Sequence, residues 1–367
     1  MEISHIEKII VQIPYENPFT HFSGRVSNAS ITEIVRVYTD EGLVGVGNAG
    51  RNFNAELADK LLKGYDPIKI EETMAVMGRY RDAGVEVALW DILGKVAKQP
   101  IHKLLGACRD RIKAYPSTLS LRKPGEDAQL AVDYLEQGFK GIKLRLHRPL
   151  LKDDISMVRS VRDAVGDDME IMVDANQARL YYGDKDPCLH WTLSIAQRAA
   201  RELEKLDVLW LEEPLNAMDT EGYRQLAQSV DIPIAGGEGV TDLQRFRDMI
   251  ISGGWDIIQP DDVHCGGILP CLKAAHLAES HNKLCILAHV RWAGLQLLGS
   301  IPNCTYFEWM HDPPQDWMIF TDKILKEPIK FKDGEVIIPQ GPGLGIELDE
   351  EKIAKYRVKE TLSFGMR

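Results

Sequence analysis

At 367 residues the chain exceeds one ordinary domain, so two are expected, although a barrel alone takes about 250. A net charge of -11 argues against nucleic acid or an anionic membrane surface as a partner, whereas a local cluster of carboxylates would suit a metal ion. The cysteines at 108, 188, 265, 271, 285 and 304 form no Cys-x-x-Cys pair, which fits core packing in a reducing compartment better than a disulfide frame or a zinc site. No basic-then-apolar leader follows Met1 and no run of about 18 apolar residues occurs, so a soluble cytoplasmic protein with no membrane span is expected.

Taken in order, the first fifty residues read as strands and turns. Ile6 to Ile13 and Thr32 to Thr39 are strands, and the latter turns at Asp40-Glu41-Gly42 into a hairpin with Leu43 to Gly47. The clearest helix is Gly84 to Ala97, with Val85, Leu89, Ile92 and Val96 on one apolar face and Pro100 beyond its end. An antiparallel sheet followed by helices indicates an α+β domain over residues 1-115. Arg111 to Ser120 is then the first strand of a second domain, and Gly141 to Leu146 is the next, after the amphipathic helix Asp127 to Gln137.

From there one design recurs. Glu170 to Asp174, Val208 to Glu212, Ile232 to Glu238, Trp255 to Asp261, Leu284 to His289 and Thr305 to Glu308 are short apolar runs, each ending in an acid or a histidine. Such runs read as strands of a parallel sheet buried on both faces. Roughly 20 to 40 residues of helical pattern separate them, the length of a strand-helix unit. The fold class is therefore α/β, a TIM-type barrel over 116-325, with its polar residues at the C-terminal strand ends where such barrels carry their sites. Gly341 to Ile346, inside the closing segment 326-367, looks like a phosphate loop only superficially; outside a strand-to-helix context it is a turn.

Any one of Asp174, Glu212 and Glu238 alone would read as a cap or turn residue. At equivalent ends of three successive strands they would converge and repel, and an oxygen-only donor set selects a hard cation, Mg²⁺ first and Mn²⁺ second. Asp261 and His289 end the next two strands, so the carboxylate can orient the imidazole as a general acid or base. Lys143 and Arg145 alternate along their strand and both point inward, needing anionic partners. His147 continues that alternation at the strand's edge, where it is a further candidate for substrate contact.

The ordered motifs Lys143-x-Arg145, Val173-Asp174-Ala175-Asn176, Leu211-Glu212-Glu213-Pro214, Gly237-Glu238, Gln259-Pro260-Asp261 with Gly266-Gly267, Ala288-His289 and Phe307-Glu308 resemble the enolase superfamily, mandelate racemase subgroup. Ala88 to Lys95 with Leu104-Leu105-Gly106 is similar to the last helix of that family's capping domain. The resemblance implies a (β/α)7β-type barrel with an N-terminal α+β capping domain, a C-terminal segment packed back on that domain, and a homo-oligomer. It implies Mg²⁺ on Asp174, Glu212 and Glu238, a substrate carboxylate assisted by Lys143, substrate contact from Asn176, and Glu308 hydrogen-bonding the enediolate. His289 would be the acid/base. The subgroup's racemases have a lysine where this chain has Arg145, and a guanidinium is a poor base, which counts against racemisation. In this family the capping loops carry specificity; residues 21-25 and 48-53 include Arg25 and Arg51 and suit a polyhydroxylated acid. The expectation is an acid-sugar dehydratase, with a racemase or epimerase second and a non-catalytic carboxylate binder third.

Overall fold

The computed structural model describes residues 1–49, 53–179, 188, 190–313, 315–316 and 323–358. The chain opens with β1 (Ile3–Thr20), β2 (Val26–Thr39) and β3 (Val44–Asn48), an antiparallel sheet in the order β1-β2-β3. Both long strands run past their expected ends, because the ladder resumes at Phe19↔Ser27 after an irregularity at Pro14. The polar stretch between those positions conceals this continuation in the sequence.

Helices α1 (Ala55–Leu62), α2 (Ile70–Met77) and α3 (Ala83–Ala97) follow. α3 lies on β3 at backbone distance: a Cβ at Gly45 would stand 2.1 Å from the Ala88 carbonyl oxygen, and one at Gly47 2.2 Å from that of Gly84. The single apolar face expected for α3 does not hold, since every residue from Ala83 to Ile92 is buried whereas Val96 is exposed. The helix is covered on its second side by the barrel. There Glu86 accepts from the backbone N–H groups of Ile268 (2.8 Å) and Leu269 (2.9 Å).

After the short helix α4 (Ile101–Leu104) come β4 (Arg111–Ser117), α5 (Glu126–Glu136), β5 (Gly141–Arg145), α6 (Leu151–Val165), β6 (Glu170–Asp174), α7 (Leu193–Glu204), β7 (Val208–Glu212) and α8 (Thr220–Ala227). The alternation continues through β8 (Ile234–Gly236), α9 (Leu243–Ser252), β9 (Ile257–Ile258), α10 (Ile268–Ser280), β10 (Leu284–Cys285), α11 (Trp292–Leu298) and β11 (Phe307–Asp312). The strands pair in parallel in the order β10-β9-β8-β7-β6-β5-β4-β11, and the Cys285 N–H bonds the Asn303 carbonyl (3.0 Å) where the ends meet. This is a (β/α)7β barrel. β8 to β10 are shorter than their apolar runs, but backbone bonds continue beyond them, Gln259 N–H to Gly236 O (2.9 Å) and Ala288 N–H to Pro260 O (3.1 Å).

Glu335–Ile337 lies antiparallel against β4, and Arg357–Val358 joins the edge of the first sheet at Ile10 and Val11. The turn at Gly343 is a staple: Leu344 N–H donates to Asp91 on α3 (2.9 Å), and Gln296 on α11 donates to the Leu344 carbonyl (2.9 Å). Among the described residues the cysteines are free thiols, and no helix is long and apolar enough to cross a membrane.

Candidate active site

β5 to β8 place the acids and cations side by side. Arg145 pairs in register with Asp174, and Asp174 with Glu212. Lys143, Arg145, Asp174 and Glu212 are all buried, while Glu238, two residues past β8, keeps about a fifth of its side chain exposed, at 19%. Lys143 Nζ reaches Glu212 at 2.9 and 3.0 Å, Glu308 at 2.5 Å and Asp174 at 3.7 Å. Burial works against its ammonium, yet Glu212 and Glu308 hold it well above the ordinary lysine range. Arg145 donates to Asp174, to the Thr118 carbonyl, to Ser117 Oγ (3.0 Å) and to Asn176 Oδ1 (3.2 Å).

Burial pushes the Glu212 carboxyl up to about 7, opposed by Lys143 and reinforced by Asp174 and Glu308. Its neighbour Glu213 is driven well above the carboxylate range by burial and then by Glu238, Asp174 and Glu212. These oxygens suit a hard divalent cation in donor chemistry, and their mutual repulsion is what such an ion relieves. The expected convergence of the three acids is not completed, however. Among the described residues no group of three or more His, Cys, Asp or Glu side chains is gathered for a metal ion, because Asp174 is turned to Arg145 and Glu212 to Lys143.

Across the mouth, His289 Nδ1 lies 3.3 Å from Asp261 Oδ2 and its Nε2 lies 3.6 Å from Glu238 Oε1. Burial lowers the imidazole's proton affinity, but Glu238 and Asp261 outweigh it and raise the pKa to about 9. Asp261 is held well below the usual carboxylate range; burial opposes this, and His264 and His289 overcome it. Glu308 accepts from the His289 backbone N–H (3.0 Å), and despite burial Lys143 and His289 bring its carboxyl down to about 2.

Asn176, with φ +49°, donates to Asp174 (3.0 Å). His147 is buried with Nδ1 3.3 Å from the Ala175 carbonyl, its ring 4.8 Å from Phe22. Phe22 also lies 5.7 Å from the Arg145 guanidinium and donates its N–H to Leu119 (2.8 Å), so the capping loop 21-25 is docked on the barrel mouth. Arg25 is exposed on that loop, and Arg51 lies outside the described residues.

Four further residues join the site. Gln259 donates to Glu212 (2.6 Å), and Glu213 is the second acid of its motif; each stands inside a motif read for its neighbour. His264 lies 3.3 Å from Asp261, an i,i+3 contact. His21 is kept neutral, lowered to about 3 by burial and by Arg145, Arg25, His147 and His289. That histidine opens the capping loop 21-25 read for specificity, although the cationic side chain singled out there was Arg25.

Residues 5–106 match the mandelate racemase / muconate lactonizing enzyme N-terminal domain, and residues 126–352 match the enolase C-terminal domain-like family. The chain is 32% identical over 360 residues to L-talarate/galactarate dehydratase of Salmonella typhimurium, covering 91% of this chain and 84% of that protein. Its fold is similar to a racemase from Streptomyces coelicolor A3(2) with bound magnesium (TM-score 0.82, 28% identity, 97% of this chain and 100% of that one). It is also similar to an L-talarate/galactarate dehydratase mutant liganded with Mg and L-glucarate (TM-score 0.83, 28% identity, 98% and 92%). With both of its domains matched, the chain belongs to the enolase superfamily, in the mandelate racemase and muconate lactonizing enzyme family.

Proposed function

We propose that this protein is a Mg²⁺-dependent acid-sugar dehydratase, a hydro-lyase that takes the α-proton of an aldonate or aldarate and expels the β-hydroxyl to leave a 2-keto-3-deoxy acid. The observation that carries this reading is the inequality of the two sides of the mouth. One side has an imidazole with an orienting carboxylate, and the other has Arg145, a permanent cation committed to Asp174, Ser117 and Asn176. Racemisation needs proton exchange on both faces of the α-carbon. Elimination can run from one. The dehydratase relative at 32% identity supports the same choice.

Asp174, Glu212 and Glu238 are the residues that would hold Mg²⁺, with Mn²⁺ as the second choice, and the ion would supply charge stabilisation for the enediolate. Lys143, kept protonated by its acids, donates to the substrate carboxylate, and Asn176 borders the substrate. Glu308 is ionised and can only accept, so it orients Lys143 and the His289 backbone instead of donating to the enediolate itself. His289 removes the α-proton and returns it to the departing hydroxyl. Neutralising Glu238 removes the first of the charges that hold the proton on that ring.

In the same reading residues 1-115 are the capping domain, whose loops 21-25 and 48-53 select the substrate, 116-325 the catalytic barrel and 326-367 a segment closing on the cap. A cytoplasmic homo-oligomer acting on a small carboxylate is the proposed setting. A racemase or epimerase is the second reading, favoured by the racemase among the structural neighbours.

The test is a screen of Mg²⁺-loaded protein against mono- and diacid sugars in D₂O, reading 2-keto acid with semicarbazide and α-proton exchange by NMR. Keto acid from at least one sugar is expected. Exchange without keto acid would move the assignment to racemase or epimerase, and neither signal would reject both.

A further inference from the structure

Asp261 meets two imidazoles at one oxygen. Its Oδ1 is occupied by backbone, accepting from the N–H groups of Val263 (2.7 Å) and His264 (3.0 Å). Its Oδ2 lies 3.3 Å from Nδ1 of His289 and 3.3 Å from Nδ1 of His264. The loop geometry produces the second contact. The N–H of Cys265 returns to the Asp261 carbonyl (2.9 Å) and that of Gly267 to the Asp262 carbonyl (2.8 Å), which folds the side chain of His264 back over the carboxylate. Asp261 keeps 3% of its side chain exposed and His264 43%, so His264 covers Oδ2 from the solvent side while His289 approaches from the barrel side.

We infer that His264 is a positioning residue for the Asp261–His289 pair, holding Oδ2 from outside and thereby setting the plane of the carboxylate against which the His289 ring is turned. The inference rests on the proposed role of His289 as acid/base. With 43% of its own side chain in solvent and Oδ2 already facing His289, His264 adds little to stability. Its value here is geometric, because a carboxylate free to rotate lets the imidazole swing, and proton transfer falls steeply when a reacting group is misplaced by about an ångström. Without the His264 ring, water reaches Oδ2 and donates from no fixed direction.

The experiment compares His264→Ala and His264→Asn with wild type on the best substrate of the screen. The asparagine carries an N–H donor near the position of Nδ1. His264→Ala is expected to lower kcat about tenfold, with KM within about twofold and Tm within about one degree, and His264→Asn to recover at least about half of the lost rate. An unchanged kcat in the alanine variant, or equal losses in both variants, overturns the inference. A crystal structure of His264→Ala supplies a readout free of activity: the Asp261 carboxylate and the His289 ring are expected to rotate from their wild-type positions, and finding them unmoved also overturns it. If no acid sugar yields keto acid or exchange with wild type, the dehydratase reading fails and the crystal comparison still decides the role of His264.

Discussion

His289 stands between two acids that act on opposite nitrogens, Asp261 on Nδ1 and Glu238 toward Nε2. Its φ of +49° is a left-handed conformation unusual for a side chain of this size, and Asn176 (+49°) and Glu213 (+46°) share it at the ends of two other strands. Replacing His289 by Asn preserves a polar group and removes the proton carrier. We expect kcat to fall about 10²- to 10⁴-fold while substrate affinity by calorimetry stays within a few-fold. Arg145 poses the reverse case, a cation whose loss leaves Asp174 buried without its closest partner. Arg145→Met should cost about 3–5 kcal/mol in urea unfolding of the metal-free protein. The dyad was legible in the sequence because each member ends an apolar run. The lock of Arg145 on Asp174 was not, since strand alternation gives the direction of a side chain but not the atom it meets.

Helix α3 ties three parts of the molecule together. It packs on β3 through Gly45 and Gly47, holds the C-terminal glycine turn through Asp91, and caps α10 with Glu86. Glu86 also accepts from Trp90 Nε1 (3.1 Å), and a Cβ on Gly267 would stand 2.2 Å from its Oε2, so the capping helix and the loop that carries Asp261 meet at a glycine. Truncation by Glu86→Ala orphans buried donors at the start of a 13-residue helix and should cost about 3 kcal/mol by denaturant unfolding. A helix read by its hydrophobic period reveals one buried face. It cannot reveal a second face covered by an element about 180 residues away, which is why α3 looked amphipathic and is enclosed.

For the molecule as a whole, burial sets the pH response. It raises Glu86, Asp154, Glu212 and Asp262 each to about 7. A carboxyl whose folded pKa lies above its unfolded value holds a proton that the unfolded chain has released, so its contribution is complete below the ordinary value of about 4 and is lost as pH rises through about 7. His289, raised to about 9, loses its contribution in the same direction but later, between about 6.5 and 9. Asp261 and Glu308 have lowered values and act oppositely, but only on acidification below about 4, whereas His21 and His311, lowered to about 3 and about 4, act oppositely up to about 6.5 and are outnumbered by the four raised carboxyls. Calorimetry in EDTA should therefore show Tm falling from pH 5 to pH 8, and Mg²⁺ should flatten that fall by stabilising ionised Glu212; a rising Tm in EDTA would contradict the assignment. By itself the sequence determined the order of the barrel, the cap before it and the strand ends that bear acid, cation and histidine, because period and position are local properties of the chain. Tertiary structure decided which carboxylate holds which cation, Lys143 on Glu212 at a separation of 69 residues for one, and which loops close over them. Those choices depend on distances of about 3 Å between strands that no local pattern encodes.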